Sequence, residues 1–301
     1  MTMRLSMHNW MRSEPLEVTV ARLARCGYDA LEISADPRGT DLARTARLLE
    51  EHRIACAGGL ALFMGGRDLI HEDPFIRQAG LTYLIETIDF VAALGGTFVT
   101  VPCTVGKLVP MADPHLEWDW YVASLREAQK HADDHGIRLA IEPLTRYETY
   151  LINRADQALR LAEEVGETCG ICLDIFHMNI EEADWRAAIR DCAGRLVNFH
   201  VAENNRLAPG SGAIDWAALL RELNAAGYDG HLSVEFMPAL DRTPLSQRQI
   251  ADAAEGSLSQ GMIKWLRDHA SGVLPEDLYE AYTAQSADVL RHHLAQVGTD
   301  V

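Results

Sequence analysis

The sequence predicts an α/β chain, a single (β/α)8 barrel with additional C-terminal helices. Three observations predict it. Short apolar runs alternate with helix-like stretches eight times over about 240 residues, the pattern of a parallel sheet covered by helices. No domain boundary is marked within that stretch, so residues 1–301 read as one domain, with the barrel over about 1–243 and a helical extension over about 244–301. Four successive apolar runs in the second half each end in a polar residue: Glu142, Asp174, His200 and Glu235, spaced 32, 26 and 35 residues apart. Each gap is about one strand–helix–strand unit. On a closed barrel all four side chains meet at the C-terminal mouth.

The elements follow in order. Met3–Met7 is a short apolar strand, and Glu14–Cys26 is a helix with Leu16, Val20, Leu23 and Ala24 on one face. Gly27-Tyr28-Asp29 is a stop-and-turn signal before the strand Ala30–Ile33. Thr40–Glu51 reads as a helix with Leu42, Ala46 and Leu49 inward, followed by the strand Ile54–Ala57. Pro74–Leu94 is a long helix with proline in its first turn and Gly95-Gly96 after its end. Thr97–Val101 is a strand, and Leu116–His135 is a helix that stops before Gly136. The four runs ending in the polar set supply the remaining strands. Their connecting helices lie near Ala155–Val165, Trp185–Ala193 and Asp215–Ala226, with Gly166, Gly194 and Gly227 near their ends. In the tail, Ser257–Arg267 and Asp277–Ala295 read as helices that complete the outer ring, cover the barrel or form a subunit contact.

Composition narrows the function. The formal net charge is −17, and the 27 basic residues are spread along the chain rather than clustered. Nucleic acid and anionic membranes are poor partners for such a surface. No run of 18 apolar residues exists, and Met1–Trp10 lacks the order of a signal peptide, so a cytoplasmic protein is expected. Six cysteines lie mostly in apolar surroundings and are expected reduced and buried. Cys169 and Cys172 have no partner pair, and residues three apart on a strand face opposite ways, so a redox pair is not expected.

Three carboxylates and an imidazole at one place repel each other unless a positive group lies between them. An oxygen-rich set with one histidine suits one hard or borderline divalent ion such as Mn2+, Mg2+ or Co2+. Three more residues follow at loop distance: Glu148 six after Glu142, His177 three after Asp174, and Arg206 six after His200. Together they offer a carboxylate, an imidazole and a cation beside the metal, enough to bind a polyol that carries a carbonyl. Leu207–Gly212 is a flexible stretch that borders the pocket.

At these residues the chain resembles a known family. Leu173-Asp174-Ile175-Phe176-His177-Met178-Asn179-Ile180-Glu181-Glu182 resembles the most characteristic motif of the ketose 3-epimerases, the D-tagatose/D-psicose 3-epimerase family of xylose isomerase-like TIM barrels. The segments Ile141–Glu148 and His200–Gly210 are similar to that family's first metal-ligand loop and its histidine-to-arginine segment. The match covers about residues 137–237 and is weaker before them. The resemblance implies Glu142, Asp174, His200 and Glu235 as metal ligands, with Glu142 and Glu235 also the catalytic carboxylates. It implies Glu148, His177 and Arg206 as holders of the O1/O2 end of a ketose. The chain departs from the family at Thr145, at His8-Asn9-Trp10 and at Pro102-Cys103-Thr104, positions along the far end of the sugar. A small-molecule sugar is the expected partner, and a homo-oligomer, dimer or tetramer, the expected assembly.

The chemistry fits on its own terms. Epimerisation beside a carbonyl removes a proton from one face of a carbon and returns one to the other. Two carboxylates in different protonation states can do this, and a divalent ion stabilises the enediolate charge. Other readings of the same residues are an aldose–ketose isomerase, a lyase or C-glycoside-cleaving enzyme of the superfamily, a phosphodiesterase of the endonuclease IV kind, and a sugar-binding barrel without catalysis. The phosphodiesterase would want more histidine ligands on earlier strands than His8 and His52 supply.

Overall fold

The computed structural model describes residues 3–237 and 274–297. Eight parallel strands close in sequence order, each hydrogen-bonded to the next and the first to the last. They are β1 (Arg4–His8), β2 (Ala30–Ser34), β3 (Ala55–Leu60), β4 (Phe98–Pro102), β5 (Arg138–Glu142), β6 (Gly170–Asp174), β7 (Leu196–Val201) and β8 (His231–Val234). The helices α1 (Leu16–Arg25), α2 (Leu42–His52), α3 (Pro74–Ala93), α4 (Pro114–Asp134) and α5 (Ala155–Val165) follow the first five strands. Then come α6 (Ile175–Glu181), α7 (Trp185–Cys192) and α8 (Trp216–Ala225), and finally α9 (Glu276–Val297). The predicted (β/α)8 barrel is the observed fold.

Local chemistry sets many of the boundaries. α3 and α4 begin Asp-Pro: Asp73 and Asp113 accept from the backbone N–H groups of Phe75 (2.9 Å) and His115 (2.8 Å), and proline follows where its missing N–H costs nothing. Gly95 and Gly136 end these helices with φ of +78° and +66°, which only glycine adopts cheaply.

Three readings change, and one open alternative is resolved. β3 runs on through Gly58 and Gly59 to Leu60 rather than stopping at Ala57. Glycine is a weak strand former, but a Cβ on Gly58 would stand 2.5 Å from the Phe98 ring and 2.6 Å from its carbonyl oxygen. Gly58→Ala is therefore expected to cost about 1–3 kcal/mol, the usual range for overpacking, read as a lower urea midpoint. α2 buries Thr45, Leu48 and Leu49, and Leu42 and Ala46 are exposed, so its inward face is rotated from the expected one. A short helix, α6, follows β6 directly, where the sequence reads as a loop. α9 takes the ring position between α8 and α1, so the tail completes the outer ring. Tyr28 donates to the Thr283 carbonyl (3.0 Å), Gln285 donates to the Pro209 carbonyl (2.9 Å), and the Arg22 guanidinium lies 4.9 Å over the Tyr279 ring. The expected helix Ser257–Arg267 lies outside the described residues.

Five of the six cysteines are buried, Cys26 is half-buried, and all six are free thiols. Burial pushes the Cys56, Cys103 and Cys169 thiols up to about 12, so they behave as small apolar groups.

Candidate active site

The barrel brings together the four polar residues that the sequence places at strand ends. Glu142 closes β5, Asp174 closes β6, His200 stands one residue from the end of β7, and Glu235 follows β8. Asp174 pairs with His200 across the β6–β7 ladder, and the Glu235 N–H donates to the Val201 carbonyl (3.0 Å), so register fixes the set. All four are buried, and one ligand atom from each lies within 4.8 Å of all the others. His200 Nδ1 is 2.8 Å from Glu142 Oε1 and 3.2 Å from Glu235 Oε2.

The three residues expected at loop distance also converge here. Arg206 bridges the set: Nη1 donates to Asp174 Oδ2 and Nη2 to Glu235 Oε2 (2.9 Å). Its backbone has a φ of +61°, an uncommon conformation for a residue with a Cβ, and its guanidinium lies 4.5 Å over the Phe176 ring. The surrounding segment is pinned by buried Glu203, which accepts from the Gly210 N–H (2.6 Å), the Ile214 N–H (3.1 Å) and Trp216 Nε1 (2.7 Å). His177 sits in α6, with Nε2 3.4 Å from Asp174 Oδ2 and Nδ1 3.8 Å from Glu148 Oε1. Asp174 also caps α6, accepting from the Phe176 N–H at 2.8 Å, which fixes the helix to the site. Glu148 is the most exposed of the group, held at its loop by Thr145 Oγ1 (3.4 Å).

Glu32, which the sequence reading left out, and His8 and Trp10, which it placed only along the far end of the sugar, support the site from inside the barrel. Glu32, in the middle of β2, is fully buried. It accepts from Asn198 Nδ2 and Thr100 Oγ1, both at 2.7 Å, and stands 3.3 Å from His200 Nε2. His200 Nε2 is also 3.2 Å from His8 Nε2. Trp10 Nε1 donates to Glu235 Oε1 (3.0 Å). The available signal for Glu32 was a lone carboxylate inside an apolar strand, which must find partners if buried.

The electrostatics separate the two glutamates. Burial pushes the Glu142 carboxyl up, against the pull of His200. At Glu235 burial acts the same way but is outweighed by Arg206, His200 and His8, which hold it well below the usual carboxylate range. Burial alone would lower His200; instead its acidic surroundings, Glu142, Glu32 and Glu235, hold it well above the ordinary histidine value. The neighbouring Cys172 thiol is itself pushed up by burial and stays neutral, so the carboxylates carry that effect. Three carboxylate oxygens and one imidazole nitrogen, all buried and convergent, fit a divalent cation, which would take the position at Nδ1 that a proton otherwise fills.

Comparison with known proteins places the fold in a family. A sequence model of the xylose isomerase-like TIM barrel matches residues 20–268. The chain is 32% identical over 240 residues to an L-ribulose 3-epimerase of Mesorhizobium japonicum, covering 77% of this chain and 80% of that one. It is 32% identical over 221 residues to a 3-dehydro-D-guloside 4-epimerase of Escherichia coli, covering 69% and 82%. A solved L-ribulose 3-epimerase superposes with a TM-score of 0.81 at 26% identity, covering 99% and 97%. The chain belongs to the xylose isomerase-like TIM barrels, in the ketose 3-epimerase family. It is thus an enzyme of the isomerase class.

Proposed function

We propose that this enzyme inverts C3 of a free ketose by proton exchange between Glu142 and Glu235. One observation carries the reading: two buried carboxylates from different strands face the same small space, bracketing His200 Nδ1. Arg206, His177 and Glu148 line one side of that space and bind the O1/O2 end of the sugar. One glutamate takes the C3 proton and the other returns a proton to the opposite face, through an enediolate. Glu142, Asp174, His200 and Glu235 would hold one divalent ion, with Mn2+ the expected metal. When bound, the ion supplies positive charge where the enediolate oxygens develop negative charge. Incubating metal-supplemented protein with a panel of free ketoses and resolving the products tests this; 3-epimers are expected, and accumulation of an aldose would favour isomerisation instead. The similarity to a 4-epimerase acting on a keto-sugar glycoside supports a second reading, a modified sugar as substrate, which a panel of 3-keto-glycosides would expose.

Glu32 has a definite part in this reading. His200 must present Nδ1 to the cation, so its proton belongs on Nε2, facing Glu32. Glu32→Gln is expected to weaken metal binding about 10–100-fold, the usual cost of losing such a partner, read by titration calorimetry on folded protein.

Among the described residues, no helix is long and apolar enough to cross a membrane. A cytoplasmic location and a homo-oligomer complete the proposal. The exposed apolar side chains Leu108, Val109 and Met111 on the loop after β4 support the assembly, which light scattering would measure.

A further inference from the structure

Three metal-ligating side chains converge on the outside of the barrel. Asp89 lies near the C-terminal end of α3; His131 lies in the last turn of α4, and His135 follows that helix directly. Helices run antiparallel to the strands, so this place is at the end of the barrel opposite the mouth. His131 and His135 are four residues apart, one above the other on a helical face. Their ring centroids are 4.4 Å apart, and the planes differ by 31°. Asp89 Oδ1 stands 2.6 Å from His131 Nε2 and 3.5 Å from His135 Nε2, and the three ligand atoms lie within 4.8 Å of one another.

The orientation of His135 is the second observation. Its Nδ1 lies 2.9 Å from the His131 carbonyl oxygen and must donate a proton to it. In the neutral ring, Nε2 is then a bare lone pair turned toward the Asp89 carboxylate. That lone pair and the Asp89 oxygen converge on one point, which a shared proton or a bound metal cation can occupy. A ring nitrogen that donates to a backbone carbonyl is also the usual support for a metal-binding histidine. Tetrahedral zinc with bonds of about 2.0–2.1 Å has ligand–ligand edges of about 3.3 Å. The 3.5 Å separation already fits that edge, and His131, with 30% of its side chain exposed, has room to move off Asp89.

We propose that Asp89, His131 and His135 form a second divalent-cation site, with water completing the coordination. Two imidazoles and one carboxylate favour Zn2+, Ni2+ or Cu2+ over Mg2+ and Ca2+. The site is separate from the oxygen-rich cluster at the mouth and joins α3 to α4 across the outer ring.

The test is to dialyse chelator-treated protein to equilibrium against micromolar Zn2+ near neutral pH and count bound metal. The His131→Ala/His135→Ala double variant is the comparison. It is expected to hold one Zn2+ fewer per chain, to lose the zinc-dependent rise in melting temperature that this site contributes, and to turn over substrate as the unaltered protein does. Asp89→Asn, nearly isosteric, is expected to weaken zinc binding at this site. If the mouth also takes zinc, the count falls from two to one; if it does not, from one to zero, so failure of the active-site reading shows separately. Equal zinc counts in the folded double variant and the unaltered protein would overturn the proposal.

Discussion

Glu142→Gln and Glu235→Gln are each expected to lower turnover on a free ketose by at least about 10²-fold, the lower range for general acid–base groups. Glutamine keeps the size of the side chain and one oxygen for the cation but can neither accept nor deliver a proton from carbon. Both positions are needed, because inversion removes a proton from one face and returns it to the other. Their unlike surroundings, burial at Glu142 and the Arg206–His200 cations at Glu235, are what a proton exchange between two acids requires. Metal content is measured alongside, since both residues also face the cation. Full turnover in either variant with metal retained contradicts the assignment. The Michaelis constant should move much less than the turnover number, because the proposed sugar holders Arg206, His177 and Glu148 are unaltered in both variants.

Removal of the divalent ion is expected to abolish turnover, and addition of Mn2+ or Co2+ to restore it. Without the cation, His200 is held well above its usual pKa by the surrounding carboxylates and keeps the proton on Nδ1 that the cation would displace. Binding therefore releases a proton, so apparent affinity rises with pH until His200 is neutral. The loaded protein should also melt higher. A ligand at 100 times its Kd adds about 2.7 kcal/mol to the folded state, equivalent to about 4 °C at this chain length. Full turnover in excess chelator, with no metal by elemental analysis, would end the metal reading.

How far the sequence shows this site depends on where each residue stands. Glu142, Asp174, His200 and Glu235 are legible because each interrupts an apolar run at its end, and four such interruptions at one-unit spacing have one meeting point on a closed barrel. Arg206 and Glu148 are legible as loop residues just beyond them. Glu32 is not: it lies inside a run, and its role depends on Thr100 and Asn198 from other strands. Trp10 and His8 depend likewise on β1 closing against β8. α6 is hidden because it is short and its cap is Asp174 itself, a residue already read as part of the site. Gly58-Gly59 hides the end of β3, since close packing against Phe98, not strand propensity, decides it. The left-handed backbone of Arg206 has no local signal at all; the segment tied to Glu203 imposes it.

The most direct test of the proposed reaction is the position of solvent hydrogen in the product. Metal-loaded enzyme is incubated with a free ketose in deuterated water, and the recovered sugars are examined by NMR and mass spectrometry. Exchange through Glu142 and Glu235 predicts deuterium at C3 of the epimer, with little at C1. Deuterium at C1 or C2 with an accumulating aldose, or a 3-epimer formed without any deuterium at C3, would contradict the two-carboxylate account.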